Sequence, residues 1–183
     1  MRIITGKLRG LKLLVPAGLS IRPTSDRVKE SVFAILGDKL VEATVLDLFG
    51  GSGNLSLEAV SRGAREVVCV DNNPISLKCI NANVQKAKAV AQVKIYRNDA
   101  LKSIALLHRE NLLFNIIFCD PPYNKNWTQK ILEQIKNYNI VAKSGIIVIE
   151  YSQHEKFVLP SDFHLFRQEK YGETMVAFLQ LHK

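Results

Sequence analysis

The chain has 183 residues, of which 47% are hydrophobic and 23% charged. At roughly 150 residues per domain this is one domain with room for a small appendage, and a wholly disordered or fibrous chain is excluded. The formal net charge of +8 favours a polyanionic partner, nucleic acid before an anionic membrane surface.

Three cysteines, Cys69, Cys79 and Cys119, are an odd number and form no CxxC pair. That pattern fits neither a disulfide framework nor a zinc site, so no metal is expected. A reducing, cytoplasmic setting is the simplest expectation. The opening segment MRIITGKLRGLKLLVP is basic and lacks a long apolar run, so it does not read as a signal peptide. No stretch approaches the roughly 18 apolar residues of a membrane span. A monomer without membrane attachment is expected.

In chain order, residues 1–29 come first. Arg2, Lys7, Arg9, Lys12, Arg22, Arg27 and Lys29 stand there against the single acid Asp26, and the rest of the chain is nearly balanced. Any polyanion should therefore meet this arm. Residues 2–15 alternate loosely around Gly6 and Gly10, which predicts a β-hairpin or a curled pair of short strands. Pro16, Gly18 and Pro23 mark an irregular link. A helix is predicted over 25–40, capped by Ser25, with Val28, Val32, Phe33 and Leu36 on one face.

From Val45 onward, short apolar runs alternate with helical stretches. The predicted strands are 45–49, 67–71, 93–96, 115–120 and 145–151, and the predicted helices 54–62, 75–88, 100–109 and 127–139. Near-continuous apolar strands separated by helices imply a parallel sheet covered on both faces. The last segment, FHLFRQEKYGETMVAFLQL, has two extended runs broken near Gly172 and no helix, so its strands must be antiparallel. The expected fold is α/β: a mostly parallel seven-stranded sheet ending in an antiparallel hairpin, with a small N-terminal extension. The expected division is a basic unit over 1–40 and a catalytic domain over 41–183.

The first strand runs into DLFGGSGNLSLEA, residues 47–59, where Gly50, Gly51 and Gly53 form a turn before a helix. Such a turn lets backbone approach a ligand closely, at the carboxyl ends of the strands. The second strand ends in Asp71, whose two carboxylate oxygens suit two ribose hydroxyls. Asn72 adjoins it. A dinucleotide fingerprint would need glycine at position 56, which is Ser56, and a P-loop lysine is absent. Instead an acid, Asp47, precedes the glycines in the pattern Asp47-x-Phe49-x-Gly51-x-Gly53, where it would repel a pyrophosphate and welcome a cation. S-adenosylmethionine carries an amine and a sulfonium and no phosphate. Asp99, followed by Ala100, is set to accept from the adenine amine.

The fourth strand ends in Asp120-Pro121-Pro122-Tyr123. The prolines stop the strand and offer no amide donors. The Asp120 carboxylate and the Pro121 carbonyl then converge as two acceptors, and Tyr123 offers an aromatic face. Two acceptors hold the two hydrogens of an exocyclic NH₂ and stabilise the positive charge that develops when it attacks a methyl group. The histidines are scattered and form no triad.

Together these residues resemble the S-adenosylmethionine-dependent amino methyltransferases of Rossmann-like fold. More closely, the chain resembles the bacterial RsmD family, which methylates the N2 of a guanine in 16S rRNA of the small ribosomal subunit. The resemblance spans nearly the whole length: MRIITGKLRGLKL, RPTSDRVKESVF (22–33), VLDLFGGSGNLSLEA (45–59), VVCVDNN (67–73), RNDAL (97–101), FCDPPY (118–123) and EKYGETMVAF (169–178). It implies that Asp47 and the glycine turn hold the methionyl part, Asp71 the ribose and Asp99 the adenine. Asp120, Pro121 and Tyr123 would grip the guanine. Arg2, Lys7, Arg9, Lys12, Arg22 and Arg27 would meet RNA phosphates. Ser25 stands where the family pattern suggests Thr. The competing readings are a DNA adenine-N6 or protein glutamine methyltransferase, and a ribosome-assembly factor without catalysis.

Overall fold

The computed structural model describes residues 1–16, 26–122 and 126–182. Seven strands form one sheet: β1 (Thr44–Asp47), β2 (Glu66–Asp71), β3 (Val93–Arg97), β4 (Phe114–Cys119), β5 (Val141–Ser152), β6 (Phe163–Tyr171) and β7 (Thr174–Leu181). Five helices accompany them: α1 (Asp26–Leu36), α2 (Asn54–Ser61), α3 (Pro74–Lys86), α4 (Ala100–Arg109) and α5 (Trp127–Asn137). The spatial order is β3-β2-β1-β4-β5-β7-β6. All neighbours from β3 to β5 are parallel, while β7 runs antiparallel to both β5 and β6.

The central strands are apolar on both faces because both faces are covered. On one side Val45, Val67, Phe118, Val148 and Phe178 pack with α1, α2 and α3 through Phe33, Leu57 and Ile80. On the other, Leu46, Val68, Ile117 and Ile147 pack with α4 and α5 through Ile104, Leu107, Ile131 and Ile135. Every one of these side chains is at most 4% exposed, and each contributes on the order of 1.5–3 kcal/mol of transfer free energy. Strand order reverses between β1 and β4, which opens the crevice where such sheets bind ligands.

Three expectations change in detail. The helix predicted over 25–40 is an α-helix to Leu36 followed by a 3₁₀ turn, Gly37–Leu40; its cap, Ser25, lies outside the described residues. β5 begins at Val141 rather than 145. Residues 142–145 form a bulge with Ser144 at φ 59°, and the register against β4 shifts there, so polar Lys143 and Ser144 disguised a strand. The N-terminal limbs do fold back antiparallel, through a single bridge between Arg2 and Lys12. A longer ladder cannot form, because side chains elsewhere take the backbone groups. Glu58 accepts from the Ile4 and Thr5 N–H groups at 2.8 and 3.1 Å, and Ser61 Oγ accepts from Leu8 N–H at 2.9 Å. Gly6 sits at φ +88° with its Cα against the Ser61 carbonyl, where any Cβ would lie 1.9 Å from the oxygen.

The arm and α1 share the core with the sheet: Ile3, Leu13, Val28, Val32 and Leu36 belong to the same cluster as β1 and β4. Lys29 is 0% exposed. Its Nζ donates to Asn54 Oδ1 at 2.6 Å and to the Arg2 carbonyl at 2.5 Å, and lies 3.3 Å from Glu58 Oε2. Arg62 completes the cluster, 2.8 Å from Glu58 Oε1. Lys29 is therefore spent inside the fold and cannot meet a polyanion, contrary to the count of seven available cations. From the far edge, the Tyr171 hydroxyl donates to Ser31 Oγ, so the closing hairpin clasps α1.

Candidate active site

β1 delivers Asp47 to the reversal point, and its register with β4 sets Asp47 opposite Phe118. Asp47 is 1% exposed. Ser56 Oγ donates to its Oδ2 at 2.7 Å, and Phe49 N–H approaches Oδ1 at 3.4 Å. Burial, with Asp120 and Asp71 adding repulsion, raises its pKa to about 6 against the pull of those two hydrogen bonds. Three carboxylates thus converge, and the innermost is met by neutral donors.

The glycine turn follows. Gly50 packs flat against β2, where a Cβ would lie 2.5 Å from Cys69 Sγ and 2.9 Å from Ile80 Cδ1. Gly51 and Gly53 take left-handed φ of 56° and 78°, and Gly53 is the N-cap of α2. Around Gly51 a Cβ would approach only the Phe49 carbonyl, at 3.9 Å, so one side of the turn is open to a ligand. Asp71 ends β2 and fastens this turn: Oδ2 accepts from Gly51 N–H and Oδ1 from Asn73 N–H, each at 2.8 Å. Each oxygen keeps a second lone pair, so the carboxylate can hold the turn and a ligand hydroxyl together. Asn72 is exposed beside it.

Asp99 follows β3 and caps α4, accepting from Leu101 and Lys102 N–H at 3.0 and 3.1 Å through Oδ1 alone. Ala100 is buried behind it. Phe49 meets Trp127 of α5 edge to face, with ring centroids 5.5 Å apart. Trp127 therefore stands against the residue that opens the glycine turn.

Asp120 directly follows β4, half-buried, with Pro121 buried and Pro122 exposed. Tyr123 lies outside the described residues, as does Arg22. Cys119, one residue earlier, faces the α4–α5 side, and burial pushes its thiol up, so it is inert packing. Because Cys119 pairs with Ile149, the next residues, Asp120 just past β4 and Glu150 within β5, adjoin. Both border a cavity of about 20 Å³ with Val32, Leu55 and Val176. The motifs of the sequence do not reach Glu150. The parity of β4 and β5 is the signal that could have found it. A larger groove of about 570 Å³ lies under Tyr151, Phe157, Leu165 and Met175 and contains none of the predicted site residues.

Of the basic residues, Lys7, Arg9, Lys12 and Arg27 are exposed. Arg2 is half-engaged, 3.5 Å from Asp26. They lie on the arm and α1.

A seven-stranded sheet of this order with β7 reversed, an acid-led glycine turn after β1 and Asp-Pro-Pro after β4 define the class of S-adenosylmethionine-dependent methyltransferases of Rossmann-like fold. A family model described as "Conserved hypothetical protein 95" matches residues 1–180. YlbH of Bacillus subtilis, named provisionally as an rRNA methyltransferase, is 36% identical over 180 residues, 97% of each chain. Ribosomal RNA small subunit methyltransferase D of Escherichia coli is 30% identical over 98% of this chain and 89% of its own. The solved structure of yhhF from Escherichia coli superposes with a TM-score of 0.88 at 30% identity, covering 100% of this chain and 98% of that one. The chain belongs to this family, that of the RsmD methyltransferases.

Proposed function

We propose that the protein transfers the methyl group of S-adenosylmethionine to the exocyclic N2 amine of a guanine in 16S rRNA, within the small ribosomal subunit or its assembly intermediate. The observation that carries this reading is the meeting of two motifs across the reversal point: the acid-led glycine turn after β1 and Asp120-Pro121 after β4. The name of the Escherichia coli relative supports the ribosomal substrate.

The chemistry of the acids fits the cofactor. A buried carboxyl raised to about 6 beside two other acids is relieved by a cation, and the amine of the methionyl part supplies one. Asp47 would meet it directly or through water. Gly50, Gly51 and Gly53 leave room along the turn, with Phe49 beside them. Asp71 and Asn72 would take the ribose hydroxyls. The second oxygen of Asp99, with Ala100, would take the adenine edge. When bound, the cofactor supplies an electrophilic methyl on its sulfonium.

Asp120 and Pro121 are the proposed catalytic residues. The carboxylate accepts one hydrogen of the amine and the Pro121 carbonyl the other, so the nitrogen is held and oriented for in-line displacement. As the nitrogen gains positive charge, the same two acceptors stabilise it. The proton leaves after bond formation, to Asp120 or to water. Pro122 stiffens the turn and Tyr123 would stack on the base. The base must leave its own stack to enter. Residues 1–40 would act as the RNA-binding unit, through Arg2, Lys7, Arg9, Lys12, Arg22 and Arg27, and residues 41–183 as the methyltransferase domain.

The test supplies labelled S-adenosylmethionine and small subunits lacking the modification, followed by nucleoside analysis. Labelled N2-methylguanosine is expected. Label in another nucleoside, or none while the cofactor still binds, rejects the substrate.

A further inference from the structure

We infer that α3 and the turn after it form a second RNA-backbone surface, continuous with the N-terminal arm. The inference rests on the reading of the substrate as RNA. Residues 72–98 carry Lys78, Lys86, Lys88, Lys94 and Arg97 and no acid, and residues 1–16 carry Arg2, Lys7, Arg9 and Lys12 and no acid. These two acid-free stretches hold nine of the 25 basic residues. The other sixteen face all 17 acids. The positive excess of the protein therefore lies in two segments far apart in sequence.

The fold joins them. Leu14 N–H donates to Asn83 Oδ1 at 2.8 Å, and Asn83 Nδ2 donates back to the Leu14 carbonyl at 2.9 Å. Lys86 Nζ donates to the Lys12 carbonyl at 2.7 Å, and Lys7 Nζ to Gln92 Oε1 at 3.0 Å. The acceptors are neutral, so Lys7 and Lys86 keep their charge uncompensated by these bonds. The arm runs antiparallel to α3: Lys12 lies at Lys86, and Leu14 lies nearer the Pro74 end, which follows Asp71. Lys78, Asn81, Gln85, Lys86 and Lys88 are exposed, while Ile80 and Val84 are buried in the core. Lys78 and Lys86 are about 12 Å apart along α3 at 1.5 Å per residue, and Lys88 follows in the turn after the helix, so the lysines can lie along successive phosphates of one strand. The basic track therefore leads along α3 to the cofactor end of the sheet. One cation of each stretch contributes less: Lys94 is 2.5 Å from Glu66, and Arg2 adjoins Asp26.

A phosphate-contacting lysine releases counterions when RNA binds, so its loss flattens the salt dependence of affinity. The experiment measures binding of the full chain to unmodified small-subunit rRNA across a range of potassium chloride concentrations. It compares wild type with Lys78→Gln/Lys88→Gln and with Lys143→Gln/Lys170→Gln, exposed lysines of β5 and β6. The first pair is expected to reduce the slope of log affinity against log salt by about 1.5, at 0.7–0.9 per contact, and the second to leave it unchanged. A wild-type slope in the first pair, or an equal reduction in both, overturns the inference. A wild-type protein without salt-dependent RNA binding overturns the RNA reading itself, and the inference with it.

Discussion

Two buried carboxylates, eleven residues apart in sequence, have opposite surroundings. Glu58, on α2, is met by Lys29, by Arg62 and by two backbone N–H groups of the arm. Asp47, before the same helix, is met by a hydroxyl and an amide and is repelled by Asp71 and Asp120. Both have left water, which costs several kcal/mol for a charge without compensation. The fold has supplied the compensation for Glu58 from its own side chains. For Asp47 the countercharge must come from outside. A buried acid whose charge is answered marks architecture, and one whose charge is not answered marks a ligand.

That contrast can be broken experimentally. Glu58→Ala strands Lys29 as a buried cation and frees the arm's N–H groups. The expected loss is about 3–5 kcal/mol in urea unfolding. Lys29→Met combined with Glu58→Leu should recover part of it, because an apolar pair needs no partner. A loss within 1 kcal/mol would mean that Glu58 does not hold the arm. Asp120→Ala should lower methylation about 10²–10³-fold, the scale of one lost charge-stabilising group, while titration calorimetry still finds the cofactor bound. Full activity would remove Asp120 from the chemistry.

Asp47→Asn should do the reverse of Glu58→Ala. Its fold should be at least as stable as wild type, since a buried repelled charge is gone. Cofactor affinity should fall about 10–100-fold for one lost charge-assisted contact. Weakened folding with unchanged affinity would make the two acids alike. The smallest effect is one of pH. Asp47 must shed its proton before it can pair with a cation, and its pKa without ligand is about 6. Cofactor affinity is therefore full above pH 6 and falls as pH drops below it, by up to tenfold per unit. In Asp47→Asn this dependence should vanish. A wild-type curve flat through pH 6 would disconnect Asp47 from the cofactor.

The sequence made the sheet legible because its strands are buried on both faces. Runs such as VVCVD and IIFC have no helical periodicity to confuse them, and the predicted bounds of β2, β3 and β4 lie within a residue or so of the observed ones. The site was legible through position: Asp47, Asp71, Asp99 and Asp120 each stand at or just after a strand's carboxyl end. What was hidden was pairing. Helical spacing sets Lys29 three, four and seven residues before Val32, Phe33 and Leu36, on the buried face, while Arg27 is exposed; what DRVKESVF cannot show is the partner, Glu58 on another helix. The arm failed to ladder for the same reason. The N–H groups of Ile4, Thr5 and Leu8 go to the side chains of Glu58 and Ser61, more than fifty residues away. The basic run of 72–98 is masked in the net charge because acids elsewhere in the chain offset it.

Asn83 ties the two halves of the molecule into one reporter. Its Nδ2 donates to the Ser52 carbonyl inside the glycine turn at 2.8 Å, and the same amide group clamps both backbone atoms of Leu14 on the arm. Occupancy of the turn should therefore be readable as slower hydrogen–deuterium exchange at the Leu14 amide, a site that touches neither the methyl donor nor the base.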